Sequence, residues 1–156
     1  MQWWPFYGLK RQLAESREFA SPLPPLRATP RIFRHSLFVY VIDVGSSNAL
    51  NFEISALESP QYSIHRFGVY LTDSPRHADV LLVLGRPTPA MLPPLKETIA
   101  QLPEPFCIVT IDDSPEDFER VYPDLPNHIG ALEGIPSPSQ ILGLLLDLSI
   151  SKRKKR

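Results

Sequence analysis

A chain of 156 residues with 43% hydrophobic and 21% charged residues has the size and balance of one soluble globular domain with a sizeable core. Its formal net charge of −1 gives no overall field for nucleic acid, and its single cysteine, Cys107, excludes an intrachain disulfide or a metal cluster held by this chain's cysteines alone. The charge is unevenly spread: residues 152–156 are all basic, and without those five the remainder carries −6.

Residues 1–35 read as an arm and a linker. "MQWWPFYGLKRQLAESREFA" places Trp3, Trp4, Phe6 and Tyr7 around Pro5, followed by an amphipathic stretch. Those rings either fold onto the domain's own core or reach out to a partner or a membrane interface, where Trp and Tyr are favoured. "SPLPPLRATP" (Ser21 to Pro30) has the composition of an extended linker. Eighteen prolines, more than twice the usual share of roughly 5%, cluster without a PxxP repeat and predict short elements with fixed turns. No run approaches the roughly 20 apolar residues of a membrane span. The opening residues also lack the charged-then-apolar order of a signal peptide, so the expected location is the cytoplasm.

Residues 36–149 then alternate strand and helix patterns. "SLFVYVIDV" is a continuous apolar run and predicts a buried strand. "NALNFEISALESP" predicts a helix with Asn48 as N-cap and Pro60 beyond its end. "RFGVYLT", "ADVLLVLG" and "FCIVTID" predict three further strands. "LPPLKETIAQLP" predicts a helix whose prolines fall in or before the first turn, and "SPSQILGLLLDLSI" one capped by Ser137 with Pro138 at its first position. The fold class is therefore α/β: a flavodoxin-like parallel sheet of about four strands with helices on both faces, plus an extended aromatic N-terminal arm. Residues 150–156 form a basic tail, either solvated or in contact with lipid head groups or an acidic partner.

Motifs for chemistry are sparse. The glycines are scattered, with neither a Walker-type loop nor GxGxxG. His35, His65, His77 and His128 have no metal-ligand spacing, and Ser46–Ser47 does not form GxSxG. Cys107 lies inside an apolar run, as a buried small hydrophobe does. Asp112 and Asp113 end a strand at the same edge as the "GSSN" turn, where they serve either a cation or turn formation. That turn, Gly45 to Asn48, is either a capped helix start or a cradle for an anion.

The stretch "SLFVYVIDVGSSNALNFEISALESPQYSIHRFGVYLTDSPRHADVLLVLGRPT", above all "SPRHADVLLVLG", resembles the small, cluster-bearing subunit shared by respiratory complex I (the 20 kDa subunit family of NADH–quinone oxidoreductase) and membrane-bound group 4 NiFe-hydrogenases. Ser74, Pro75, Arg76, His77, Ala78 and Asp79 follow the family pattern without a gap. "LPEPFCIVTIDDS" and "EGIPSPSQILGLLLDL" follow in the right order, the resemblance covers residues 36–148, and the hydrogenase branch is the nearer. In that family four cysteines hold one 4Fe–4S cluster: two in a C-x-x-C spacing after the first strand, one after the fourth strand, and one in a G-C-P-P-x-P turn. On this chain those positions fall at Ser47, Leu50, Ser114 or its neighbour, and Ile135.

The resemblance thus implies a degenerate member with no catalytic, cofactor or metal residues of its own. Leu50 and Ile135 would fill the volume of the lost cluster. The implied role is a cluster-free structural or coupling subunit, peripheral on the cytoplasmic face of a membrane complex. Its implied partners are a hydrogenase- or complex I-type large subunit, a membrane-embedded proton-channel-like subunit and, further, a ferredoxin-like subunit. Glu53, Arg76 and His77 would line the vacated pocket or an interface, and Trp3 and Trp4 an interface. Two alternatives stand beside this. One is a stand-alone flavodoxin-like module that binds an anion or nucleotide at Gly45–Asn48. The other is an active iron–sulfur subunit whose ligands come from a neighbouring chain.

Overall fold

The computed structural model describes residues 36–113 and 125–150. Their strands are β1 (Leu37–Gly45), β2 (Val69–Leu71), β3 (Val80–Gly85), β4 (Cys107–Asp112) and β5 (His128–Glu133). All neighbours pair in parallel in the order β2-β1-β3-β4-β5. The helices among these residues are α1 (Asn48–Leu57), α2 (Leu92–Gln101) and α3 (Pro138–Ile150), with 3-10 turns at Ile64–Phe67 and Pro75–His77.

The strand pattern dictates the layering. β3 and β4 are buried along their whole length, as apolar runs covered on both faces must be. Alternate residues of β3 then feed two cores. Val80, Leu82 and Leu84 join Leu50, Ile54 and Leu57 of α1 and Ile141, Leu142, Leu144, Leu145 and Leu148 of α3. Leu81 and Val83 join Leu95 and the half-buried Ile99 of α2 on the opposite face.

The sheet has five strands where the periodicity suggested about four. β5, "HIGALE", is an edge strand, half-exposed and interrupted by Gly130, so it lacks the apolar run that marks β3 and β4. β2 is only three residues long because His65, Arg66 and Phe67 are taken up by a 3-10 turn that ends at Gly68, with φ 77°. Ser47, in extended conformation, is the N-cap of α1, one residue earlier than expected. α3 begins at Pro138, and Gln140 Oε1 accepts the Ser137 backbone N–H at 2.8 Å, one half of a capping box.

Asp79 ties the strands together where they begin. Its carboxylate accepts the Phe38 N–H at 2.9 Å, and its own N–H donates to Phe38 O at 2.8 Å. Its carbonyl accepts the Cys107 N–H at 3.0 Å. The acid of "PRHAD" therefore registers β1, β3 and β4. The arm with Trp3 and Trp4, the basic tail and Ser114 lie outside the described residues. Among the described residues no helix is long and apolar enough to cross a membrane.

Candidate functional site

In a sheet of this order the connections diverge between β1 and β3, and a crevice opens past the strand carboxyl ends at that point. Four segments meet along this edge: the Gly45–Asn48 turn, Arg86–Thr88 after β3, Asp112–Asp113 at the end of β4, and Gly134–Ile135 after β5. The first two touch backbone to backbone. A Cβ on Gly45 (φ +146°) would lie 2.2 Å from Arg86 O, and one on Gly85 (φ +75°) 2.2 Å from Ser46 N. Only glycine permits both the dihedrals and the approach.

Three backbone donors of the turn, Gly45, Ser46 and Ser47, are already occupied by carboxylates of the chain. Asp43 Oδ1 accepts the N–H groups of Gly45 (3.0 Å) and Ser46 (2.8 Å), while its Oδ2 accepts Asn51 Nδ2 at 2.8 Å. Burial pushes the Asp43 carboxyl up, but hydrogen bonds from Asn51, Ser46 and Gly45 outweigh it and hold the group below its ordinary value. Ser47 N–H donates to Asp113 Oδ2 at 3.1 Å. An anion arriving at the turn would have to displace two carboxylates of the chain itself, which counts against the anion-module reading. Asp112, 2% exposed, forms an ion pair with Arg86 Nε at 3.9 Å.

The structure separates the residues singled out from sequence. Ser47 is half-buried at the turn, and its Oγ is buried without a hydrogen-bond partner. Leu50 is 0% exposed inside the α1–α3 core, and Glu53 is half-buried on α1. Ile135 is 53% exposed, so it does not fill a vacated volume. Arg76 and His77 lie away from these positions. Both are exposed on the 3-10 turn that precedes β3, at the edge where strands begin, and a parallel strand separates that edge from the Ser47 turn. Of the residues sequence reasoning passed over, Asp43 and Arg86 are the ones that build this edge. Their signal was position alone, one at the end of the β1 run and one just past Gly85.

The residues at these positions do not fit a 4Fe–4S cluster. Such a cluster needs four soft donors, and with thiolate ligands it is an anion. Leu50 has no donor, and Asp113 already places a negative charge on the turn. Cys107 is buried within β4, its thiol pushed up to about 12 by burial and by the charge of Asp79. Among the described residues no three His, Cys, Asp or Glu side chains are grouped to hold a metal ion.

Relatives are found among membrane enzyme complexes. The chain is 41% identical over 80 residues to the probable membrane-bound hydrogenase subunit mbhJ of Pyrococcus furiosus, covering 51% of this chain and 48% of that protein. It is 41% identical over 76 residues to formate hydrogenlyase subunit 7 of Escherichia coli, covering 48% of this chain and 30% of that one. The chain thus spans about half the length, or less, of the curated relatives it matches. Its fold matches a chain in the membrane-bound sulfane sulfur reductase, an archaeal respiratory membrane complex, with a TM-score of 0.60 over 79% of this chain and 78% of that one. Identity there is 20%, so that likeness speaks for the fold. No family model matches the chain. The relatives agree with the resemblance carried by "SPRHADVLLVLG": the chain is related to subunits of membrane-bound hydrogenase-type complexes.

Proposed function

We propose that this chain is a peripheral subunit of a membrane-bound complex related to group 4 hydrogenases and complex I, and that it carries no iron–sulfur cluster. The observation that carries this reading is the β1–α1 turn. One ligand position there, Leu50, is sealed in the core, and the backbone at the other, Ser47, is bonded to Asp113. A turn closed by the chain's own leucine and carboxylate suits a scaffold retained for its shape. The subunit passes no electrons through this site and acts structurally or in coupling. Its neighbours are a hydrogenase- or complex I-type large subunit, a membrane-embedded proton-channel-like subunit and a ferredoxin-like subunit, on the cytoplasmic side.

The test is affinity purification of the tagged chain from native membranes in mild detergent, with co-purifying proteins identified by mass spectrometry. Recovery with a hydrogenase-type large subunit and a polytopic membrane protein is expected. Recovery as a soluble monomer without partners would overturn the proposal.

A further inference from the structure

Helix α1 brings little stabilisation of its own to its first turn. It has ten residues, and isolated helices shorter than about 12–15 residues are marginal in water. Its N-cap, Ser47, makes no side-chain capping bond, and the first turn contains no acid. A helix start leaves backbone N–H groups unpaired and carries partial positive charge, so a capping oxygen or a nearby anion steadies it. Here the anion comes from another strand. Asp113, 66 residues further along the chain, accepts the Ser47 N–H on Oδ2 at 3.1 Å in a half-buried setting.

Asp113 is placed by the residue before it. Asp112, the last residue of β4, is 2% exposed. Its carboxylate pairs with Arg86 Nε at 3.9 Å, and its carbonyl accepts the Gly134 N–H at 2.7 Å. Thr88 N–H donates to Val44 O at 3.1 Å, which joins the segment after β3 to the end of β1. The end of β4 is thus anchored to the segments after β3 and β5, and Asp113 extends that anchorage to the β1–α1 turn. Asp43 does a different job. Its oxygens accept the N–H groups of Gly45 and Ser46 and the Asn51 amide, all within eight residues, so it orders the turn without tying it to another strand.

We propose that Asp113 is a remote cap for α1, a latch that fastens the β1–α1 turn and the helix start to the end of β4. When the carboxylate is withdrawn, the turn and the first turns of α1 loosen together while the sheet stays intact. This rests on the cluster-free reading: in a chain without a cluster, a carboxylate supplies the cross-link between these two segments. It also names the part of the closed site that moves, which a role in coupling requires.

Hydrogen–deuterium exchange of the full chain, read by mass spectrometry on peptides covering α1, β3 and β4, tests the latch. Asp113→Ala should speed exchange of the amides of residues 50–54 about fivefold or more, the loss expected for one helix cap. Amides of β3 and of β4 should stay within about twofold of the unaltered chain. Asp113→Asn keeps an acceptor oxygen without the charge and should give an intermediate rise, with the fold of both variants checked by circular dichroism. Unchanged exchange of α1 in both variants would overturn the proposal. So would an equal rise across β3 and β4, or loss of the fold in both variants, since either is global destabilisation and not the release of one contact. Exchange reads this contact alone. An unmoved α1 overturns the latch and leaves the cluster-free reading standing, whereas cluster assembly in a chain whose α1 responds as expected overturns that reading and keeps the contact.

Discussion

Leu50 and Ile135 stand at two positions where the resemblance expects cysteine, yet their surroundings differ. Leu50 is enclosed between α1, α3 and the sheet, whereas more than half of Ile135 is open to solvent. Truncation separates them. Leu50→Ala removes buried methyl groups and leaves a cavity, a loss of about 3 kcal/mol, while Ile135→Ala should change stability by no more than about 0.5 kcal/mol. Urea denaturation of the two variants measures both. Asp43 makes a prediction in pH. Folding depresses its pKa from about 3.8, so on acidification the unfolded chain takes up this proton first. Its contribution is complete above the unfolded value and is lost as pH falls through the lower folded one. Asp43→Asn should therefore flatten the fall in stability below about pH 4, without changing its course between pH 6 and 8. A parallel curve in that variant would show that the hydrogen bonds to Gly45, Ser46 and Asn51 do not favour the charged form.

At the scale of elements, strand direction decides which motifs meet. The sequence showed that "SPRHADVLLVLG" leads into a strand and "DVGSSN" leaves one. In a parallel sheet these lie at opposite edges, which is why Arg76 and His77 do not reach the Ser47 turn. The buried strands β3 and β4 were legible because a strand covered on both faces must be apolar throughout, and the partly exposed β1 because its run from Leu37 to Ile42 is apolar. β5 was not, since a half-exposed edge strand with a glycine carries no such run. The shared edge of Asp112, Asp113 and the turn was also legible. The bond from Ser47 N–H to Asp113 was not, because a side-chain rotamer sets it. Asp79 gives this scale its test. Asp79→Ala should cost about 1 kcal/mol by removing the acceptor of the Phe38 N–H. Asp79→Asn keeps an acceptor oxygen and should recover most of that loss, measured by thermal unfolding. Equal losses in both variants would show that charge, not the hydrogen bond, sets the register at the strand beginnings.

Over the whole molecule, the sheet holds two unlike edges apart. The carboxyl edge is acidic, tightly closed by Gly45 and Gly85, and lacks the donors of the resembled cluster site. The opposite edge bears the stacked rings of Phe38 and Tyr70. A turn closed by the chain's own leucine and carboxylate is what the proposed structural role requires. The direct test of that central claim is anaerobic reconstitution of the purified full chain with ferrous iron and sulfide, followed by iron and acid-labile sulfide analysis and EPR of the reduced sample. The account predicts sub-stoichiometric iron that washes away and no cluster signal. About four irons and four sulfides retained per chain, with a reduced-cluster EPR signal, would contradict it.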